Sequence, residues 1–347
     1  MPPKTTPPTP AAAAPAVAAV PVIPKPEKSG GPDASWPHRK LYENVIKTLY
    51  ALPEEFKTSL RISDFRATDI FTLNSALGAS IEDAVVNGLN SLREVWDVDG
   101  RYALYRFERQ AQAFPDVRLV TESPGETPII MGIELKGWFA LSKEGEPTFR
   151  YTVTPNACAP ADLLVVFPWV LSDVVAGSPK LLRPFVGEAR YAAELRNYYW
   201  QTMRTQRGGN GGITPATHQT PYPAVKTDQC SDRADDDGGG NFGRVARYGL
   251  LDDFVASTKK QEASGIPVLA WLTFFKIFSD GSRDLDSVVA TIESALRRYR
   301  ETNQQGTEAL AEAFSQIVAI LRGQEVLAQG GVPLEGSGFE DQTPVED

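Results

Sequence analysis

The sequence predicts an α/β domain in which helices flank a mixed central β-sheet, with additional C-terminal helices. Two observations predict this class. Apolar residues recur at helical spacing in two N-terminal segments, residues 41–52 and 81–96. Runs rich in β-branched and aromatic residues follow, with the alternating or continuous apolar character of strands. Helices and strands that succeed one another in this way pack as layers around one core.

Each element has its own signal. The first helix is predicted to end at Pro53, and the second to begin at Ser80, an N-cap residue with Asp83 three positions later. Strands are then predicted over residues 102–110, 117–121, 128–141, 149–154 and 163–170. The remaining predicted elements are a helix over 188–203, a strand over 267–278, and two helices over 284–300 and 306–321.

Composition divides the chain into three parts. Residues 1–35 are dominated by proline and alanine and cannot bury a core, which predicts a disordered arm. Residues 36–322 form the predicted domain. Within it, residues 205–243 are rich in glycine, aspartate and threonine without periodicity, which predicts a long irregular insert. Residues 323–347 are glycine-rich and acidic, and we expect a disordered tail.

Composition also excludes several enzyme classes. The 347 residues include two cysteines and two histidines, His38 and His218. A cysteine-rich zinc site, a zincin, an HNH nuclease and a Ser-His-Asp hydrolase are therefore hard to assemble. Because neither a signal peptide nor a long apolar run is evident, we expect a cytoplasmic protein without a membrane span. The net charge of -9 does not exclude DNA as a partner, since a locally basic cleft can still hold it.

A pair of carboxylates is the predicted centre of the chemistry. Asp116 begins one predicted strand, and Glu134 and Lys136 lie in the next. Side chains alternate along a strand, so Glu134 and Lys136 emerge from one face and the intervening apolar residues from the other. If a three-residue loop centred on Gly125 joins the two strands, Asp116 lies directly opposite Glu134.

Two carboxylates on directly opposed residues repel each other unless a cation lies between them. Mg²⁺, which prefers carboxylate oxygens and water, is the predicted occupant, and Mn²⁺ is a possible substitute. Lys136 would orient a metal-activated water or stabilise the negative charge of the transition state. Two further ligands are predicted: the backbone carbonyl of Leu135, and Glu82 on the first turn of the second helix.

These residues carry a resemblance to a known family. Pro115-Asp116 followed by Glu134-Leu135-Lys136 resembles the PD-(D/E)XK signature of the restriction-endonuclease-like nucleases. Residues 77–82 are similar to the first core helix of that superfamily, in which an acid often joins the site. The resemblance covers residues 75–170. It implies a restriction-endonuclease-like core and a Mg²⁺-dependent DNA endonuclease that leaves a 5′-phosphate.

Arginines mark a candidate DNA-binding surface. Several lie on the predicted helix 188–203 and its exit, interleaved with aromatic residues, and two more follow a glycine-rich stretch: Arg190, Arg196, Arg204, Arg207, Arg244 and Arg247. Such arginines can bind phosphates or guanines. The alternative is an amphipathic helix whose aromatic residues are core and whose arginines are solvated.

The sequence thus predicts a type II restriction-like endonuclease that acts on double-stranded DNA as a homodimer, with a methyltransferase as partner. One alternative is a nuclease subunit of a repair, transposition or antiphage defence complex, targeted by a partner such as an ATPase. A second alternative is a catalytically silent, DNA-binding member of the fold. At the level of residues, the alternative to a nuclease site is that Glu134 and Lys136 form an ordinary ion pair on a solvated sheet face.

Overall fold

A computed structural model describes the central part of the chain. The described residues are 24–62, 74–110, 113–172, 174, 177–206, 208, 212–214, 220–229, 233–234, 241–278, 312 and 315. Among them, no helix combines the length and the apolar character needed to cross a membrane. The predicted helices over 284–300 and 306–321 and the acidic tail lie outside the described residues, apart from the two isolated positions.

A mixed sheet of six strands lies at the centre, as the sequence predicts. The strands are β1 (Arg106–Arg109), β2 (Val117–Val120), β3 (Ile129–Phe139), β4 (Leu163–Leu171), β5 (Pro179–Leu181) and β6 (Phe185–Glu188). Strands β1, β2 and β3 form an antiparallel meander, and β4 pairs parallel to β3. The far edge of β4 is shared by β5 and β6, both antiparallel to it.

Helices cover both faces of this sheet. The helices before β1 are α1 (Arg39–Glu55), α2 (Asn74–Ser91) and α3 (Arg93–Trp96). Those after β6 are α4 (Ala189–Tyr198), which continues as a π-helical turn (Tyr199–Met203), then α5 (Arg204–Gln206), α6 (Lys226–Gln229), α7 (Asp252–Thr258) and α8 (Val268–Phe278). Short strand pairs join β7 (Ile213–Thr214) to β8 (Arg233–Ala234) and β9 (Glu262–Ala263) to β10 (Ile266–Pro267).

The two faces of the sheet bury separate hydrophobic clusters. Val85 and Leu89 of α2 pack with Ile133 and Leu135 of β3 on one face. On the other face, the alternate residues of β4 and the small residues of α4 form the second cluster, which includes Leu164, Val166, Ala189, Ala192 and Ala193. Glu134 and Lys136 pair with Leu164 and Val166 in the parallel register, so they point to the α4 face.

Two predicted strands are wrong. Residues 149–154 make only an isolated bridge, between Arg150 and Arg244. Their backbone groups go elsewhere, since the Tyr151 N–H donates to the Gly243 carbonyl at 2.7 Å. The strand predicted over residues 267–278 is replaced by the helix α8 over residues 268–278, because a continuous apolar run fits a buried helix as well as a buried strand.

Some predicted boundaries also need correction. Helix α1 continues past Pro53, its predicted end, to Glu55. Helix α2 is already formed at Asn74, before its predicted start at Ser80, in keeping with the helix-favouring Ala76, Leu77 and Ala79. The arm predicted over residues 1–35 is part of the described fold from residue 24 onward. The Ser29 hydroxyl donates to Glu188 Oε2 at 2.7 Å, which ties this segment to the start of α4.

Candidate active site

The hairpin β2–β3 brings the two predicted acids together. Val117 pairs with Ile133, so one further step along the ladder sets Asp116 opposite Glu134, in the predicted register. The predicted loop geometry is wrong, because the register shifts by one residue between Leu119 and Val120. The irregularity lies toward the turn, beyond the acids, and therefore leaves their alignment unchanged.

A glycine lets the turn before β2 fold onto the sheet. Pro115 packs directly over Gly132 of β3, where an added Cβ atom would lie 2.1 Å from Pro115 Cγ. No other residue type fits at position 132 without moving the proline. Because Pro115 lies against Gly132, the contact also sets the position of the next residue, Asp116, relative to β3.

Asp116, Glu134 and Lys136 form one contiguous group. The Leu135 N–H donates to Asp116 Oδ2 at 2.8 Å, and Lys136 Nζ donates to Glu134 Oε1 at 2.6 Å. Lys136 Nζ also lies 3.7 Å from Asp116 Oδ2. The side chains of Asp116 and Lys136 are 23% and 22% exposed and that of Glu134 is 9% exposed. The group is therefore largely desolvated but open at one edge.

Burial and mutual repulsion change the protonation of this group. Burial and the charge of Glu134 raise the pKa of Asp116 to about 7, although Lys136 and the Leu135 N–H act in the opposite direction. A hydrogen bond between the two carboxyl groups adds to the increase. Burial disfavours the Lys136 ammonium, but Glu134 and Asp116 together outweigh it and raise the pKa of Lys136. Near neutral pH Asp116 is thus partly protonated, and a bound cation would displace that proton.

The donor set fits a Mg²⁺ ion held by two carboxylates. Within the described part of the chain, no three Asp, Glu, His or Cys side chains form a metal-binding group. Mg²⁺ is commonly bound through one or two carboxylates, with water and substrate oxygens filling the remaining positions. The Leu135 carbonyl points to the same edge as its N–H, toward Pro115, which has no N–H to donate to it. Asp116, Glu134 and this carbonyl would therefore suffice.

Glu82 lies beside this group, held by an arginine. Arg109 of β1 donates to Glu82 Oε2 from Nη2 at 2.9 Å and from Nε at 3.0 Å. Glu82 does reach the site electrostatically, because its charge contributes to the raised pKa of Lys136. The structure does not support the prediction that Glu82 is a metal ligand, since its carboxylate is bound to Arg109 and completes no three-ligand group.

Arg196, one of the arginines predicted to bind DNA, is buried in the structure. Its side chain is 1% exposed, and Nη1 donates to the Tyr151 and Val153 carbonyls at 3.2 and 2.7 Å. It therefore holds segment 151–153 against α4, and a guanidinium buried in this way cannot reach a phosphate at the surface. The helical spacing of the arginines gave no indication of this difference.

The other predicted DNA-binding arginines lie in different settings. Arg190 is partly buried and donates to the Cys158 carbonyl at 2.5 Å, and Arg204 stacks over Trp200, with its guanidinium 4.1 Å from the ring centroid. Arg244 is partly buried at the bridge to Arg150. Arg207 lies outside the described residues, and Arg247 is described only by its backbone, in a short 3₁₀ turn.

Sequence reasoning missed the residues that hold the turn before Asp116. Arg118 Nη2 donates to the Phe114 carbonyl at 2.6 Å, and the Phe114 N–H donates to Gln229 Oε1 at 3.0 Å. Strand alternation could have placed Arg118 on the same face as Asp116. No local signal could have found Gln229, because it lies in the irregular insert, far along the chain.

Comparison of the chain with protein-family models, with curated proteins and with solved structures finds no match. Function is therefore inferred from the geometry and chemistry of this group of side chains.

Proposed function

We propose that the chain is a Mg²⁺-dependent endonuclease of the PD-(D/E)XK kind that hydrolyses phosphodiester bonds in DNA. The observation that carries the proposal is the desolvated pair Asp116 and Glu134 with Lys136 bound against it. The order α2, β1, hairpin β2–β3 and β4 is compatible with the arrangement that the resemblance implies for residues 75–170.

The residues divide the chemistry between them. Asp116 and Glu134 would hold Mg²⁺, which when bound polarises the scissile phosphate and lowers the pKa of a water. Lys136 carries a fixed positive charge between the two carboxylates, held there by both of them. Its ammonium can donate to the attacking water or to a phosphate oxygen, and desolvation strengthens this interaction in the transition state.

The ordinary ion-pair interpretation accounts less well for the same residues. An ion pair on a solvated face leaves both partners in water and contributes about 0–1 kcal/mol. Here Glu134 is 9% exposed and faces a second carboxylate, which an ion pair of one acid and one lysine does not need. Such an arrangement costs folding free energy, and cation binding gives a reason for it.

Substrate and assembly follow from the proposed reaction. Double-strand cleavage requires two such sites, so a homodimer would suit a symmetric target. Arg190, Arg204 and Arg244 remain candidates for phosphate contacts. A methyltransferase partner would accompany restriction, whereas an ATPase partner would accompany a nuclease that is targeted by a complex.

The test is cleavage of supercoiled plasmid DNA by the full chain in Mg²⁺, with EDTA as a blank. We expect Asp116→Asn and Lys136→Met each to lower the rate by at least about 100-fold. The matched control is Lys40→Met, because Lys40 also binds a carboxylate, Asp99 at 2.8 Å, but is 70% exposed on α1. We expect that variant to cut like the wild type.

The products separate the alternatives. Discrete fragments support a restriction-like enzyme, and metal-dependent nicking or a smear supports a nuclease targeted by a partner. DNA binding without cleavage in Mg²⁺ or Mn²⁺ would establish the silent member of the fold. Cleavage that survives both site substitutions would refute the assignment of this site.

A further inference from the structure

The backbone of Phe114, two residues before Asp116, is held by two side chains. Its N–H donates to Gln229 Oε1 at 3.0 Å, and its carbonyl accepts from Arg118 Nη2 at 2.6 Å. Phe114 is 3% exposed and Gln229 is 5% exposed. A buried peptide group without a partner destabilises the fold, so these two side chains satisfy groups that solvent cannot reach.

The turn cannot hold itself by backbone hydrogen bonds alone. Pro115 has no N–H, so the residue next to Phe114 has no amide donor. The Asp116 carbonyl accepts from the Gln110 N–H at 2.7 Å, which fixes the far side of the turn. The near side, at Phe114, depends on Gln229 and Arg118.

Gln229 belongs to a segment that is itself firmly attached. We call residues 220–229 the strap. The Tyr222 N–H donates to the Ala157 carbonyl at 3.1 Å, and the Thr154 N–H donates to the Gln229 carbonyl at 2.8 Å. Gln229 Nε2 donates to the Pro223 carbonyl at 3.0 Å, which sets the orientation of its amide so that Oε1 faces Phe114.

The strap also contacts β3 through a buried carboxyl group. The Tyr222 hydroxyl donates to Asp162 Oδ1 at 2.5 Å, and the same oxygen accepts the Gly132 N–H at 2.7 Å. The Arg118 guanidinium lies 5.1 Å from the centroid of the Tyr222 ring. The strap, the turn and the strand that carries Glu134 are thus joined in one buried network.

We propose that the strap positions the catalytic turn, with Gln229 and Arg118 as the positioning residues that hold Phe114 so that Asp116 faces Glu134. The catalytic meaning of this role rests on the proposed function, whereas the positioning itself does not. Part of the irregular insert thereby acquires a role, to fix the first carboxylate of the pair. A segment that served only general stability would leave the placement of Asp116 unchanged in a folded variant.

The Leu135 amide reports the placement of Asp116 without any metal or substrate. Its hydrogen bond to Asp116 Oδ2 is 2.8 Å long and protects it from exchange with solvent. The Ala140 amide, which donates to the Trp169 carbonyl at 3.0 Å just after the end of β3, serves as the internal reference for general opening. Asp116→Ala removes the acceptor and sets the full size of the effect.

The first experiment compares Gln229→Met with Gln261→Met by amide hydrogen exchange followed by NMR. Gln261 Oε1 also accepts a backbone N–H, that of Arg183 at 3.0 Å, at an exposed and distant position. We expect Leu135 to exchange about tenfold faster in Gln229→Met, with Ala140 unchanged, as for the loss of one buried hydrogen bond. Gln261→Met should leave both amides at the wild-type rate. Wild-type exchange of Leu135 in folded Gln229→Met would overturn the proposal.

A second pair of variants covers the case in which Gln229→Met fails to fold. Arg118→Met removes the other hold on Phe114, and Arg93→Met is its control. Arg93 likewise donates to backbone carbonyls, those of Tyr102 and Tyr105 at 2.9 and 2.5 Å, and stacks over an aromatic ring, that of Trp96. We expect faster Leu135 exchange in Arg118→Met alone, and equal rates in the two variants would contradict the positioning role.

Measurement of Mn²⁺ binding then tests whether the strap affects the proposed metal site. We expect Gln229→Met to bind Mn²⁺ about tenfold more weakly than the wild type, with free Mn²⁺ measured by EPR. If the wild type cleaves no DNA in any divalent metal, the proposed function fails, while Leu135 exchange still decides the positioning role. If cleavage is established and Leu135 exchange and Mn²⁺ binding are unchanged in Gln229→Met, the strap proposal alone fails.

Discussion

Two clusters in this fold each combine one aspartate, one glutamate and one basic side chain, but they lie in different surroundings. One combines Asp116 and Glu134 with Lys136, and the other combines Glu82 and Asp83 with Arg109. In the second, Arg109 contacts Glu82 at 2.9 Å and Asp83 at 3.5 Å. In this second cluster the side chains of Glu82, Asp83 and Arg109 are 25%, 62% and 37% exposed. In the first cluster those of Asp116, Glu134 and Lys136 are 23%, 9% and 22% exposed.

The two clusters differ in how their net negative charge is stabilised. Water screens the exposed cluster, which therefore behaves as a surface ion pair. In the buried cluster, burial and Glu134 raise the pKa of Asp116 to about 7, so this carboxyl is partly protonated near neutral pH. Composition alone does not distinguish the two clusters. Desolvation of two facing carboxylates does, and it is the reason that a cation site is proposed at Asp116 and Glu134.

The largest expected effect separates the clusters by activity. Glu134→Gln and Glu82→Gln make the same chemical change, but only Glu134 faces Asp116. We expect Glu134→Gln to lower the Mg²⁺-dependent cleavage rate by at least about 100-fold and Glu82→Gln to lower it by no more than about threefold. Rates on plasmid DNA at saturating Mg²⁺ measure both. An equal loss in the two variants would make Glu82 a member of the site.

The next effect separates the clusters by the pH dependence of stability. The pKa of Asp116 is raised in the folded state, so the folded protein binds its proton more tightly than the unfolded chain does. The resulting stabilisation of the folded state is fully present below the unfolded pKa of Asp116. It decreases as pH rises from the unfolded pKa and is lost above the folded pKa of about 7. Between pH 5 and 8 the decrease due to Asp116 should be about 2.5 kcal/mol.

Urea unfolding of the wild type and Asp116→Asn at pH 5 and 8 isolates this contribution. Burial also raises the pKa of Asp162 to about 6, so the wild type retains a further pH dependence that both proteins share. Asp83→Asn, in the exposed cluster, should reproduce the wild-type pH dependence. A pH dependence in Asp116→Asn equal to that of the wild type would show that the carboxyl pair does not retain the proton.

The sequence predicted the elements that periodicity specifies. Alternation in residues 128–141 gave β3 and the shared face of Glu134 and Lys136, and the strand pairing at Val117 and Ile133 matches the predicted register. It failed for α8, whose continuous apolar run fits either a helix or a strand. It also failed at residues 149–154, where tertiary hydrogen bonds replace a strand ladder.

The site was predictable only as far as its own two strands. Asp116, Glu134 and Lys136 come together through a local hairpin. The contacts that decide their surroundings are non-local, such as those of Gln229 with the Phe114 turn. Burial was equally hidden, because Arg196 and Arg204 lie on the same helical run, yet Arg196 is 1% exposed and binds backbone carbonyls.

The smallest expected effect concerns the cations themselves. Arg109→Met removes the cation of the exposed cluster and should cost about 0.5 kcal/mol of unfolding free energy. Because salt on the order of 0.5 M screens exposed charges, this cost should disappear at that concentration. Lys136→Met leaves two buried carboxylates without their cation and should cost several times more at pH 8, with little dependence on salt. Its cost should shrink at pH 5, where Asp116 is protonated. Urea unfolding of both variants at low and high salt measures this, and equal salt dependence in the two would mean that water screens Lys136 as fully as it screens Arg109.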